Sequence, residues 1–265
     1  MKRQAKYISM LSRILVLILG AAALFPVVYM FVNAFDTPAA AGEPLSAGWG
    51  LSGFYEVFVR RPDYLIKFWN SLLLAGAIAA GQCALSSLAG YGFSKFEFPF
   101  REAVYFAVIV LMLMPYQVTL VSNYLITDAL HLNNTCWAIL LPGIFSPFGV
   151  FLMRQGFDAT ADEMREAAML EGCPQLRLLI QIAVPVCKGP LAALILLGFA
   201  DAWNMVEQPI VFLKETFRYP ISVFLAQMDE SRMHILCTCG ILVLLPVLLL
   251  FLFSEEDLTN AALRR

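Results

Sequence analysis

Glu163 and Glu166 stand three residues apart, followed by Ala167, Ala168 and Gly172, with Ile182-Ala183-Val184-Pro185 ten residues beyond the glycine. The chemistry these types offer is recognition: a carboxylate anchor on a surface of small side chains. Thr160-Ala161-Asp162-Glu163 has the spacing of a capping box, in which hydroxyl and carboxylate each satisfy a free amide at a helix start, so a short helix is predicted from about Ala161. Its face of Met164, Ala167, Ala168 and Glu171 lets another surface approach the backbone closely. Gly172 suits the left-handed position that ends a helix, and Pro174 suits the first turn of the next, which runs toward Pro185. The expected product is a compact knob with Glu166 exposed near its middle. An amphipathic connector lying on a bilayer surface has the same local chemistry, and spacing alone leaves both open.

Bond-making chemistry finds no support. No Gly-x-x-x-x-Gly-Lys-Ser/Thr phosphate loop is present, nor a Gly-x-Ser-x-Gly or His-Glu-x-x-His pattern. The cysteines, Cys83, Cys136, Cys173, Cys187, Cys237 and Cys239, show no paired metal spacing and read as small packing residues. His131 and His234 are the two histidines, and neither has a metal-like cluster nearby. No cofactor and no metal site is expected. The formal net charge of -2, with basic residues gathered at the ends of apolar runs, argues against nucleic acid as a partner.

The elements that position the knob are membrane helices. Hydrophobic residues make up 60% of the 265 and charged residues 14%, which would leave a soluble domain with far too much apolar surface. A spanning helix needs about twenty mostly apolar residues. Uncharged runs of that size extend over 14–33, 68–94, 103–127, 132–153 and 235–254; a sixth, 186–203, is less clean because Lys188 lies near its start, where a lysine can extend to the interface. The expected organisation is an all-α membrane protein. Residues 1–13 form an N-terminal segment and 14–254 a transmembrane domain with spans at about 14–33, 70–93, 103–125, 136–154, 186–203 and 235–254. The knob occupies 157–185, between spans 4 and 5, and 255–265 form a tail. Cytoplasmic loops are enriched in Lys and Arg. An N-terminus inside places Lys2, Arg3, Lys6, Arg13, Lys95, Arg101, Arg154, Arg165, Arg177, Lys188, Arg264 and Arg265 in the cytoplasm, and Arg60, Arg61, Lys67, Lys214, Arg218 and Arg232 outside. Twelve against six favours both termini and the knob on the cytoplasmic side. The first apolar run is long for a signal peptide and reads as a retained helix.

The string EAAMLEGCPQLRLLIQIAVP resembles the cytoplasmic loop signature of the permease subunits of binding-protein-dependent ABC importers, with glutamate, both alanines, glycine, isoleucine and proline in register. Val184 stands where leucine is usual, Glu171 where aspartate is, Cys173 where a small residue is, and Thr160-Ala161 where Ile-Pro is. Other segments are similar to the carbohydrate-type branch, that of the maltose, glycerol-phosphate and multiple-sugar permeases. They are Asn70-Ser71-Leu72, Ser87-Leu88-Ala89-Gly90-Tyr91-Gly92-Phe93 with Phe98-Pro99, Met114 to Leu120, Asn134 to Ala138, and Ala202-Trp203-Asn204 with Gln208-Pro209. The tail Phe253 to Thr259 departs from the Gly-rich ending of that branch. The resemblance implies a non-catalytic permease of a bacterial-type inner membrane, importing a sugar or sugar derivative. Its implied partners are a second homologous permease, cytoplasmic ATP-binding subunits that use the ATP, an extracytoplasmic solute-binding protein and the lipid bilayer. It also implies that Glu163, Glu166, Ala167, Ala168, Gly172 and Pro185 contact or position the ATPase.

Polar groups at membrane depth are candidate pathway residues because unsatisfied ones are costly in hydrocarbon. Gln117, Asn123, Tyr124, Ser146, Trp203 and Asn204 are the candidates for a sugar, and Gln82, Ser86, Ser87 and Tyr116 are further ones. Serines and glutamines also simply bridge helices, with Gly76, Gly81 and Gly90 allowing close packing. No intramembrane basic cluster is present, which speaks against a highly anionic solute unless a partner supplies one. The stretches 34–67 and 204–233 read as external loops that either receive a binding protein or cap the bundle. The competing function is a stand-alone ion-coupled secondary transporter, which would have more spans and an intramembrane ionisable group. A membrane-embedded enzyme would need a cluster of facing reactive groups.

Overall fold

The structure is a computed structural model that describes residues 2–35, 48–60, 63–160, 162–228 and 233–263. Regular structure in it is helical, and no strand forms among the described residues beyond one isolated bridge position at Trp49. Ala161, the expected start of the knob helix, lies outside the described residues, as do Arg61, Arg232, Arg264, Arg265 and the centre of the 34–67 stretch. The chain divides into two compact units, Met1–Leu65 with Gln227–Leu245, and Ile66–Ala226 with Pro246–Arg265.

In the first unit, α1 (Lys2–Ala34) carries an almost unbroken apolar surface from Ile14 onward. None of the residues in its most apolar window is buried, with Leu17 72% exposed. Such a surface needs lipid or another subunit. Only its end packs: Ala34 clusters with Cys237 and Ile241, flanked by Met30 and Phe35. Thr238 donates to the carbonyls of His234 at 2.8 Å and Ala34 at 3.3 Å. A short helix, α2 (Ser52–Tyr55), brings Gly53 so close to Thr238 that a Cβ there would meet its hydroxyl.

The second unit holds most of the helices. α3 (Asp63–Lys95) has 33 residues, about 50 Å at 1.5 Å per residue, against roughly 30 Å of hydrocarbon; it therefore projects beyond an apolar layer. α4 (Arg101–Met112) and α5 (Tyr116–Ala129) meet at 105°. The run 103–125 is thus two helices rather than one, because Pro115, at φ −65° and ψ 138°, takes the extended conformation and has no N–H to continue the ladder. α6 (Trp137–Ile144) and α7 (Pro147–Asp158) continue one another through Phe145 and Ser146, and together form a candidate span of 22 residues.

After the knob helix α8 (Asp162–Leu170), α9 (Gln175–Leu178) runs through a π-helical turn, Leu179–Ala183, into α10 (Val184–Val186). This segment meets α11 (Lys188–Asn204) at 85°. The turn lies at Cys187, between Pro185 and Pro190, where the ring of Pro190 removes the amide that would have bonded to Val186. α12 (Glu207–Phe212) and α13 (Ile221–Ala226) close the unit's other end. α14 (Met233–Leu263) does not stop at 254: Glu255-Glu256-Asp257-Leu258 contains no helix breaker, so the expected tail is helical to Leu263. Among the described residues, four helices are long and apolar enough to cross a membrane, or up to six if each bent pair is one span.

Candidate functional site

α8 buries none of its nine residues. Glu163, Glu166 and Ala167 are exposed, Met164 is 55% and Leu170 90% exposed. Ala168 turns inward, against a cluster built around Tyr91, Met153, Phe157, Leu178 and Cys187, and Arg165 is half-buried as well. The helix ends as the sequence requires. Gly172 has φ +79°, its amide donates to Met169 O at 3.0 Å, and the Cys173 amide reaches back to Ala168 O at 3.0 Å. These are the paired bonds of a Schellman ending, accompanied by the apolar contact of Cys173 and Ala168 on one cluster. Pro174 precedes α9 as its N-cap, one position earlier than expected. Pro185 is exposed in α10, which leads into α11.

At its N-terminal side the knob is clamped to α3. Lys95, with its side chain only 8% exposed, donates to Asp162 Oδ1 at 2.8 Å and to Thr160 O at 3.5 Å. Ser94 donates to Asp158 at 2.6 Å. Lys95 hydrogen-bonded to Asp162, with Arg165 at 3.4 Å, holds the Asp162 carboxyl below its ordinary value. Thr160 donates its hydroxyl proton to Phe157 O at 2.7 Å, closing α7. One turn away, Arg154 makes a two-pronged pair with Glu102 at 3.0–3.3 Å and lies 3.8 Å over the Tyr105 ring. The Tyr91 hydroxyl donates to Gln175 at 3.4 Å, tying α9 to the same helix end. An exposed helix held at both ends transmits displacement instead of absorbing it.

A second feature is a cleft of about 510 Å³ lined by Gln82, Ser146, Phe148, Gly198, Asp201 and Asn204. Three expected pathway residues, Gln82, Ser146 and Asn204, meet there. Ser146 accepts from the Gly149 amide at 3.0 Å, capping α7. Gln82 donates to Gly143 O at 2.8 Å, and Asn204 to Ala200 O at 2.8 Å. Gln117, Asn123 and Tyr124 stand on α5 and do not line this cleft: Gln117 donates to Glu207 at 3.2 Å, and the Tyr124 ring lies 6.0 Å from Phe212. Trp203 offers no face to a solute. It is 1% exposed, stacked on Phe199 at 5.5 Å and edge-on to Phe68 at 5.6 Å.

Residues 82–255 match the family model of binding-protein-dependent transport system inner membrane components. The chain belongs to this family. It is 28% identical over 245 residues to the lactose transport system permease protein LacG of Rhizobium radiobacter, covering 91% of this chain and 90% of that protein. It is 29% identical over 196 residues to the arabinooligosaccharides transport system permease protein AraQ of Bacillus subtilis, covering 73% and 70%. To the sn-glycerol-3-phosphate transport system permease protein UgpE of Salmonella typhi it is 28% identical over 209 residues, covering 75% and 74%. Among solved structures it shares its fold with a chain of a bacterial ABC transporter involved in the import of alginate, at TM-score 0.84 and 18% identity over 96% of this chain and 97% of that one.

In this inner membrane transport component, the segments that carried the family resemblance prove to be pins between helices. Asn70 donates to Phe217 O at 2.8 Å and Ser71 accepts the Ile221 amide at 2.7 Å. Asn134, at φ +62°, receives the Lys214 amide on its side chain at 3.0 Å and Arg218 on its carbonyl at 2.6 Å. Thus residues 214–221 are held down by motif residues from α3 and the α5–α6 loop. Ser86 and Ser87 are buried among helices. Gly81 and Gly90 approach neighbours closely, whereas a Cβ at Gly76 would meet nothing within 4 Å, so Gly76 packs against no helix here.

Asp201 was missed from sequence. Attention to Lys188 in the run 186–203 passed over a second charge, and an acidic residue three positions before the end of an apolar helix was the available signal. It is an ionisable group within a candidate span, so that criterion no longer separates this chain from a secondary transporter; the family match does.

Gly172→Val tests the turn. A β-branched residue held at φ +79° costs roughly 1–2 kcal/mol or more, and nothing crowds the site within 4 Å. Normal amounts of the chain in the membrane are expected, with coupling of ATP hydrolysis to transport reduced; Gly172→Asn, which tolerates that conformation, restores most of it. Equal coupling in both variants would contradict the role of the turn.

Proposed function

We propose that this chain is one of two permease subunits of an ATP-driven importer, and that it couples to a cytoplasmic ATPase through α8. Each bent helix pair counts as one span, giving six spans with both termini and the knob in the cytoplasm. The solute is a sugar or sugar derivative, in keeping with the lactose, arabinooligosaccharide and glycerol-phosphate systems of the relatives. An external binding protein delivers it, and ATP is used by the partner subunits; this chain performs no catalysis.

The observation that carries the reading is α8 itself: a nine-residue helix that buries no side chain, yet is fixed at both ends to long apolar helices. Left in water without a partner, the exposed Met164 and Leu170 gain nothing from burial. Seated in a groove of an ATPase subunit, Met164, Ala167 and Leu170 supply close contact and Glu166 the polar anchor. Closing of the ATPase dimer then moves α8, and the Lys95 clamp and the Tyr91–Phe157 cluster pass that movement to α3, α7 and α11.

The test is to tag the chain in its native membrane, solubilise it gently and identify co-purifying proteins by mass spectrometry. The wild type is expected to bring down an ATPase and a second permease. Glu166→Lys is expected to lose the ATPase at least tenfold, about 1.4 kcal/mol of docking energy, while the second permease is retained. A chain that emerges alone, or a Glu166→Lys variant with the ATPase and transport intact, would sink the proposal.

A further inference from the structure

We infer that Asp201 gives the cleft between α3, α7 and α11 a negative, hydrogen-bond-accepting wall, and that the solute moving past this subunit is therefore an uncharged polyhydroxylated molecule rather than an anionic one. This rests on the importer reading above and names the charge class of its solute.

Three observations support it. Asp201 is the one ionisable side chain among the residues lining the cleft. It is exposed there and makes no hydrogen bond or ion pair with any described residue. A carboxylate on an apolar helix is expensive against lipid and is tolerated where it faces water or a pathway. The other polar groups of the cleft have already used donor capacity on the backbone. Gln82 gives a hydrogen to Gly143 O and Asn204 gives one to Ala200 O. The Gln82 carbonyl oxygen lies against Gly198, where a Cβ would collide with it. The Gln82 and Asn204 amides each keep a second N–H, so the cleft presents the carboxylate oxygens of Asp201 and the amide oxygens of Gln82 and Asn204 as acceptors beside three donors. These are one N–H each from Gln82 and Asn204 and the hydroxyl of Ser146, whose oxygen accepts from Gly149. Sugar hydroxyls, which both donate and accept, match a wall that carries acceptors and donors around one negative charge. A phosphate or uronate brings like charge, which the Asp201 carboxylate repels.

The test reads the charge of the cleft without needing the solute. Ser146→Cys, in membrane vesicles containing the full complex, is reacted with methanethiosulfonate reagents of similar size, one bearing trimethylammonium and one sulfonate, with rates normalised to a free thiol. The unmutated chain corrects for native cysteines. The cationic reagent is expected to react on the order of tenfold faster, from one unit charge a few ångströms away, and Asp201→Asn should erase the preference. Leu197→Cys, on the same cleft, is the second reporter should Ser146→Cys fail to reach the membrane. Equal rates for both reagents, a preference unchanged by Asp201→Asn, or no reaction at either reporter would overturn the inference. A phosphorylated or carboxylated solute released from the co-purifying binding protein would overturn it too. Loss of the ATPase from the purified chain with the charge preference intact would instead strike the importer reading and leave the cleft as described.

Discussion

Gly90→Val is expected to leave almost no folded subunit in the membrane, and Gly90→Ala to lower its thermal midpoint measurably. A Cβ at position 90 would stand 2.8 Å from the backbone nitrogen of Arg154 and 2.8 Å from Met153 Cβ. Backbone cannot yield as a flexible side chain does, so relief requires α3 and α7 to separate. That opens the cluster of Tyr91, Met153 and Phe157, each at most 4% exposed, and disturbs Arg154 in its pair with Glu102. Overpacking a tight contact costs about 1–3 kcal/mol and more where backbone must shift. This exceeds the gain of roughly 1 kcal/mol that alanine brings to a helix interior over glycine. Gly76→Ala, on the same helix with nothing within 4 Å, is the control and should be neutral or slightly stabilising. Membrane content by immunoblot and a melting curve in detergent read both. If Gly90→Ala melts with the wild type, the close approach of the two helices is not as described.

Asp162→Ala should uncouple the subunit while leaving it folded, with uptake falling about tenfold or more, the equivalent of 1.4 kcal/mol in the coupled step. Lys95 is nearly enclosed, and Asp162 is its closest anionic partner, with only the Thr160 carbonyl at 3.5 Å besides. Breaking such a pair by removing one member leaves a charge with poor compensation, which is worse than removing both. Lys95→Met together with Asp162→Ala is therefore expected to recover part of the uptake, whereas additive losses in the double variant would argue that the pair is incidental. The ratio of solute imported to ATP hydrolysed is the measurement. The same contact sets a pH dependence. Because Lys95 lowers the folded Asp162 value, the pair's contribution is complete above the ordinary carboxylate range and is lost only as pH falls through that lowered value. Coupling attributable to this pair should hold from neutrality to about pH 5 and weaken below it; a loss already near pH 6 would point elsewhere.

The knob was legible because its determinants are local. Gly172 needs no neighbour to favour a left-handed conformation, and the small face of Ala167 and Ala168 follows from helical spacing. Its attachment was not legible: Lys95 and Asp162 are 67 residues apart, and Lys95 counts in the sequence only as one of the twelve basic residues that the charge bias assigns to one side. Spans were readable as apolar lengths, but hydropathy is blind to direction. It passed over the 105° break at Pro115 and the 85° turn at Cys187, since leucine, methionine and proline score alike on either side of a bend.

For the pathway the division is sharper. Trp203 and Asn204 are adjacent in sequence and both plausible for a sugar, yet one is sealed between Phe199 and Phe68 and the other opens on the cleft. Side chains one residue apart on a helix point about 100° apart, and only the packing of neighbouring helices decides which direction is core. The sequence by itself determined that this chain is a membrane component built of apolar helices, carries a glycine turn at Gly172 and belongs with importer permeases, because composition, periodicity and turn chemistry are properties of short stretches. Tertiary structure decided what clamps the knob, where the long helices break, and that Asp201 joins Gln82, Ser146 and Asn204, because those facts depend on contacts between segments far apart in the chain.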